Sequence, residues 1–147
     1  MGLVSGLVRT SFMVNAVHTE SAREYGITPQ QGQLLCVLMA KPYGMGELGE
    51  VLSLAKSSLT GLVDRSERNG LVRRESDLRD TRAVRVAFTP EGRVLAHDFY
   101  AETCRRIDRL AGSLTDAERD TLALLLGRIV RHNDVPAVFM ELAEKRP

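Results

Sequence analysis

The sequence predicts a mainly α-helical chain with one small β-hairpin, and three observations carry that prediction. Apolar residues recur every three or four positions along most of the 147 residues. Helix-start signals repeat, with Thr-Pro at Thr28-Pro29 and Thr89-Pro90 and a Thr115/Glu118 pair at capping-box spacing. Between Leu71 and Phe88 alone, the apolar period shortens to two across a polar turn.

The elements follow in order. Leu3, Leu7, Val8, Met13 and Val17 share a helical face, so the chain opens with a helix to about Tyr25, and Gly26 ends it. Thr28 caps a second helix, Pro29 fills its first position, and Gln31 completes a capping box; Pro42 stops it. A short third helix covers about Glu47 to Leu52. A fourth begins at Lys56, carries Leu59, Leu62 and Val63 on one face, and closes at Asn69-Gly70.

"LVRRES" and "AVRVAF" then form the two sides of a hairpin, with Val84, Val86 and Phe88 alternating against outward residues. Thr89-Pro90 starts a long helix to about Leu110. Thr115 and Glu118 open the last strong helix, whose apolar face is Leu122, Leu125, Leu126 and Ile129, and "VPAVFMELAEKRP" adds a terminal turn or short helix. Three helices followed by a hairpin make a winged helix-turn-helix, bracketed by helical arms.

Charge patterning narrows the function. The net charge is +1, yet the segment from Lys56 to Arg85 holds eight cations and five carboxylates, +3 in all, leaving −2 for the remainder. In a helix-turn-helix, the second short helix enters the major groove of double-stranded DNA. Here that helix presents Lys56, Ser57, Ser58, Thr60, Gly61 and Arg65. Small hydroxyls and one Lys suit close approach to bases and phosphates. Arg79 and Arg82 near the hairpin tip suit the narrow, negative minor groove alongside. Asp80, between them, is expected to orient the wing by holding the Arg82 guanidinium in a bidentate pair. The alternative is a surface ion pair worth about 0–1 kcal/mol.

Other classes find little support. No nucleophile–base pair, glycine-rich phosphate loop or metal motif points to an enzyme. His18, His97 and His132 are scattered, so no metal or other cofactor is expected. Cys36 reads as buried and inert, and neither Cys36 nor Cys104 belongs to a CxxC, as suits a reducing cytoplasm. "MGLVSGLVRTSF" is too short and interrupted for a signal peptide or a spanning helix, so no membrane partner is expected. A winged helix used only for protein–protein contact is the runner-up, and the arginines at the wing tip argue against it.

The stretch from Ile27 to Leu95 resembles the MarR family of bacterial transcriptional regulators. The resemblance rests on "KSSLTGLVDR", "NGLVRR", "DTR" and "FTPEG", in that order and behind the capped second helix. It implies a homodimer reading a pseudo-palindrome, with residues 1–27 as an N-terminal dimerisation helix, 28–90 as the winged DNA-binding domain and 91–147 as C-terminal dimerisation helices. It also implies a repressor, since repressors of the family often release DNA when a small phenolic or other ligand binds, or when a cysteine is oxidised. Family ligand pockets lie between the arms and the winged domain, which makes His18, Arg23, Met39 and Met45 the candidate lining residues for a small aromatic effector. Three positions depart from the family pattern. Ala55 stands where a capping Ser is frequent, Gly61 where Arg is frequent, and Ser66 where Leu is usual.

Overall fold

A computed structural model of the chain describes residues 1–135, which form six helices and a three-stranded antiparallel sheet. Helix α1 runs Leu3–Glu24, α2 Pro29–Leu38, α3 Met45–Leu52, α4 Lys56–Arg68, α5 Pro90–Leu110 and α6 Asp116–His132. Strands β2 (Val72–Ser76) and β3 (Val84–Phe88) form the expected hairpin. Strand β1 (Tyr43–Gly44) was not expected; it pairs with β3, Tyr43 opposite Val86, so the order is β1-β3-β2. The segment expected to add a terminal turn or helix, "VPAVFMELAEKRP", lies outside the described residues apart from Val135.

Local chemistry builds most of these elements. Thr28 accepts the Gln31 N–H at 3.1 Å while its own N–H donates to Gln31 Oε1 at 3.0 Å, a closed capping box. Thr115 and Glu118 repeat it on α6. Helix α2 ends at Leu38, four residues before the proline expected to stop it. Pro42 forces Lys41 away from helical geometry, and the chain needs the intervening residues to turn Tyr43 into the sheet. Gly70 closes α4 with φ +71°, a left-handed turn that side chains resist.

The core lies where α2, α4 and the sheet meet α5, around Leu34, Leu35, Leu62, Val63, Val86 and Phe99, all essentially inaccessible. Phe99 stacks edge-on against Tyr25 at 5.8 Å, tying α5 to the end of α1. The start of α5 is pressed onto the wing: a Cβ at Gly92 would stand 1.7 Å from the Leu71 carbonyl oxygen, so no other residue fits. Thr89 donates its hydroxyl to the Gly70 carbonyl at 2.6 Å and accepts the Gly92 N–H at 2.9 Å. The arm helix, the wing and the end of α4 therefore meet at one joint.

The arms are apolar and uncovered. None of the described residues of α6 is buried, and Leu122, Leu125, Leu126 and Ile129 remain about two-fifths exposed. Leu3, Val4 and Phe12 on α1 are more than 70% exposed. A chain this rich in apolar side chains ordinarily buries such faces. Along β3 the expected alternation fails: Val86, Ala87 and Phe88 are all buried, whereas Val84 is exposed.

Candidate nucleic-acid interface

Helix α4 projects its first turn from the body. Lys56, Ser57 and Ser58 are exposed, and the helix turns Leu59, Leu62, Val63 and Ser66 inward. Ala55 at the N-cap supplies no side-chain oxygen, so the first-turn N–H groups keep no cap of the chain's own. An uncapped N-terminus attracts anions. Thr60 is half-buried and donates its hydroxyl back to the Lys56 carbonyl at 2.9 Å. Ser66 is fully buried and does the same to Leu62 at 2.8 Å, so the departure from Leu leaves no unpaired hydroxyl.

Gly61 has a specific neighbour. A Cβ there would lie 3.2 Å from a guanidinium nitrogen of Arg65, one turn further on. The missing side chain gives the Arg65 fork room to fold back along the helix, in the direction helical side chains prefer.

Ion pairing sorts the eight cations between Lys56 and Arg85 into two groups. Arg74 on β2 reaches across to α4, donating to Asp64 at 2.7 Å and to Glu67 at 2.9 Å, while its backbone N–H donates to Glu67 at 3.0 Å. The Asp64 hydrogen bond is the main reason its guanidinium holds its proton more firmly than usual. Arg85 and Arg73 flank Glu75 at 2.7 and 3.2 Å. Burial works against the Glu75 charge, but those two hydrogen bonds hold its carboxyl below the ordinary value. Arg73, Arg74 and Arg85 thus serve the scaffold. Lys56, Arg65, Arg68, Arg79 and Arg82 form no ion pair among the described residues.

The wing tip is two successive aspartate turns. Asp77 accepts the Arg79 N–H at 2.8 Å, and Asp80 accepts the Arg82 N–H at 3.0 Å. The Ala83 N–H closes onto the Asp80 carbonyl at 2.9 Å. This corrects the expected mode of action of Asp80: it holds the backbone of Arg82, not its guanidinium. An aspartate two residues before an N–H closes a local ring at little entropic cost, whereas a fork-to-carboxylate pair would pull the Arg82 side chain back onto the turn. Both guanidinium groups are exposed at the tip.

The four candidate ligand residues are not gathered into one cavity. His18 is half-buried on α1, where burial lowers its pKa. Met39 packs against the core. Met45 lines a cavity of about 700 Å³ between α3 and α4, shared with Lys56 and Thr60. Arg23 lines a different cleft, with Arg65 and Arg68. Burial pushes the Cys36 thiol up to about 12, so its thiolate is scarce. No group of three metal donors occurs among the described residues, and no described helix is long and apolar enough to cross a membrane.

Sequence reasoning missed the Arg74 clamp. Asp64 and Glu67, three residues apart, share a face of α4, and an Arg soon after the helix stop was the signal to look for.

An exposed, uncapped second helix beside an arginine-tipped hairpin is the reading head of a helix-turn-helix DNA-binding regulator, and the comparisons with known proteins agree. A sequence profile of the MarR family matches residues 25–83. YsmB of Bacillus subtilis, an uncharacterized HTH-type transcriptional regulator, is 33% identical over 67% of this chain and 68% of its own. YkoM of the same organism, likewise an uncharacterized HTH-type regulator, is 28% identical over 90% of this chain and 87% of its own. Among solved structures, apo MarR from E. coli superposes with a TM-score of 0.76 at 25% identity, covering 88% of this chain and 98% of that one. The chain belongs to the MarR family and is a transcriptional regulator.

Proposed function

We propose that this regulator acts in the cytoplasm as a homodimeric repressor on a pseudo-palindromic operator. Helix α4 enters the major groove with Lys56, Ser57, Ser58, Thr60, Gly61 and Arg65, and the wing tip places Arg79 and Arg82 in the flanking minor groove. One observation carries this reading. Of the eight cations between Lys56 and Arg85, the five without a carboxylate partner among the described residues lie on α4 and the wing tip, while Arg73, Arg74 and Arg85 pair with carboxylates of the wing and α4. The paired arginines brace the wing and fix it to α4, and the unpaired cations beside them are left to meet phosphates.

The uncovered apolar faces of α1 and α6 support the dimer, since a second copy would bury them about a two-fold axis. That axis sets two reading heads about one helical turn apart, ~34–36 Å. A small-molecule effector that releases the repressor belongs to the same reading. The test is a fluorescence-anisotropy titration on the chain's own promoter region at two salt concentrations. Tight binding that falls steeply with salt is expected; affinity indifferent to salt, or full affinity for an unpaired half-site, contradicts the proposal.

A further inference from the structure

One apolar residue stands out at the wing tip. Of the large apolar side chains described, only Met1 is more exposed than Leu78, at 85%. Single exposed apolar residues are ordinary on a protein surface, and most of those here lie on α1 and α6, the arms that a second copy would cover. Leu78 belongs to neither arm. It opens the exposed tip, whose other members are Arg79, Asp80, Thr81 and Arg82. Turns favour Gly, Pro, Asn, Asp and Ser for reasons of backbone chemistry that Leu does not share.

The turn also holds Leu78 in place. The Asp77 N–H donates to the Ala83 carbonyl at 2.9 Å, which closes the hairpin immediately behind Leu78. The Asp77 carboxylate accepts the Arg79 N–H at 2.8 Å, so Leu78 is the middle residue of the ring it closes. Val84, the first residue of β3, is 45% exposed, so the apolar character continues one step down the wing. Asp77 and Asp80 are engaged by backbone N–H groups, which leaves the Arg79 and Arg82 guanidinium groups exposed around Leu78.

Charge decides what such a tip can meet. Its cations suit phosphate-lined walls, and minor-groove proteins frequently set a Leu or similar apolar wedge beside basic residues. Polar groups in the minor groove tell A·T from G·C but not A·T from T·A. A wedge reads a different property, the ease with which a base step opens, and pyrimidine–purine steps open most readily.

We propose that Leu78 enters the minor groove as an apolar wedge beside Arg79 and Arg82, and that it selects a deformable pyrimidine–purine step at each flank of the operator. The inference rests on the regulator reading and extends it, from which grooves are occupied to what the wing reads there.

The experiment selects random-sequence duplex DNA on the full chain as wild type, Leu78→Ala and Leu78→Met, then measures the selected duplexes by anisotropy at two salt concentrations. Wild type enriches TA, CA or TG steps outside the half-sites read by α4. Leu78→Ala keeps the half-sites, loses the flanking preference and binds the wild-type duplex roughly tenfold more weakly. Its salt slope is unchanged, because no phosphate contact is removed, whereas Arg79→Ala lowers the slope. Leu78→Met, of similar volume and apolar, keeps the preference and most of the affinity. Leu78 is too exposed to contribute much to folding, so urea denaturation of Leu78→Ala matches wild type.

Unchanged affinity in Leu78→Ala, or a wild type without a flanking step preference, overturns the wedge and leaves the regulator reading standing. A lowered salt slope in Leu78→Ala also overturns it, since the lost group would then be an arginine set loose by a broken turn. Wild type that selects no DNA sequence removes the regulator reading, and the wedge with it.

Discussion

Arg74 and Asp64 meet at 2.7 Å across the gap between the wing and the DNA-facing helix, and the same guanidinium holds Glu67 at 2.9 Å. A forked cation on a strand is thereby fixed to two carboxylates on one face of a helix, which sets the angle between the two parts that would occupy adjacent grooves. The planar fork matters, because Lys could satisfy the charge but not both directions.

Arg74→Ala should therefore lower DNA affinity by freeing the wing from α4. The carboxylates are 51% and 41% exposed, so the loss of folding stability should be only about 1 kcal/mol. Urea denaturation and anisotropy on the same preparation separate the two effects. Affinity that stays at the wild-type value would show that the clamp does not set the wing.

Glu75 gives a pH dependence with a definite sign. Its folded pKa lies below the ordinary value of 4.5, held down by Arg85 and Arg73 against the opposing effect of burial. A depressed carboxyl contributes stability that is complete above the unfolded pKa and is lost as pH falls through the lower folded one. Stability measured by urea denaturation should thus fall below about pH 4.5, and Glu75→Gln should show a shallower acid loss. An identical acid profile in the variant would remove Glu75 from the account.

These contacts show what a sequence makes legible. The capping boxes of Thr28 with Gln31 and of Thr115 with Glu118 span three residues, so their geometry is written locally and was readable. The hairpin and its arginine tip were readable for the same reason. Strand β1 was not, because two residues carry no period and Tyr43 becomes a strand only by meeting Val86 far along the chain. The Arg74 clamp depends on which of several nearby partners each charge selects, and that choice is made by tertiary packing. Asp80 was expected to hold the Arg82 guanidinium, and in the fold it accepts the Arg82 backbone N–H instead, the nearer donor.

The arms predict an oligomeric state. Leu125 and Ile129 are 45% and 40% exposed on a helix with no buried described residue. Replacing both by Glu should place charges in a dimer seam, where unpaired burial is costly. Light scattering at micromolar concentration should report a dimer for the wild type and a halved or unfolded species for the double variant. A compact wild-type monomer would end the dimer reading.

Asp80 allows the wing to be tested with two substitutions that simple electrostatics cannot tell apart. Its carboxylate accepts the Arg82 N–H at 3.0 Å, and its carbonyl accepts that of Ala83 at 2.9 Å, so it closes the tip that carries both exposed arginines. Asp80→Asn removes the negative charge but keeps an oxygen able to accept the same N–H. Asp80→Ala removes both. If charge alone mattered, each variant would bind DNA slightly tighter, and equally so. If the turn matters, Asn should match or tighten wild-type binding while Ala loosens it, because Arg82 then samples conformations that miss the groove. The difference between the two should be about 1 kcal/mol, the usual net worth of such a hydrogen bond, or roughly fivefold in affinity. Anisotropy titrations of both variants at two salt concentrations read it directly, and equal tightening by Asn and Ala would leave Asp80 no part in shaping the wing.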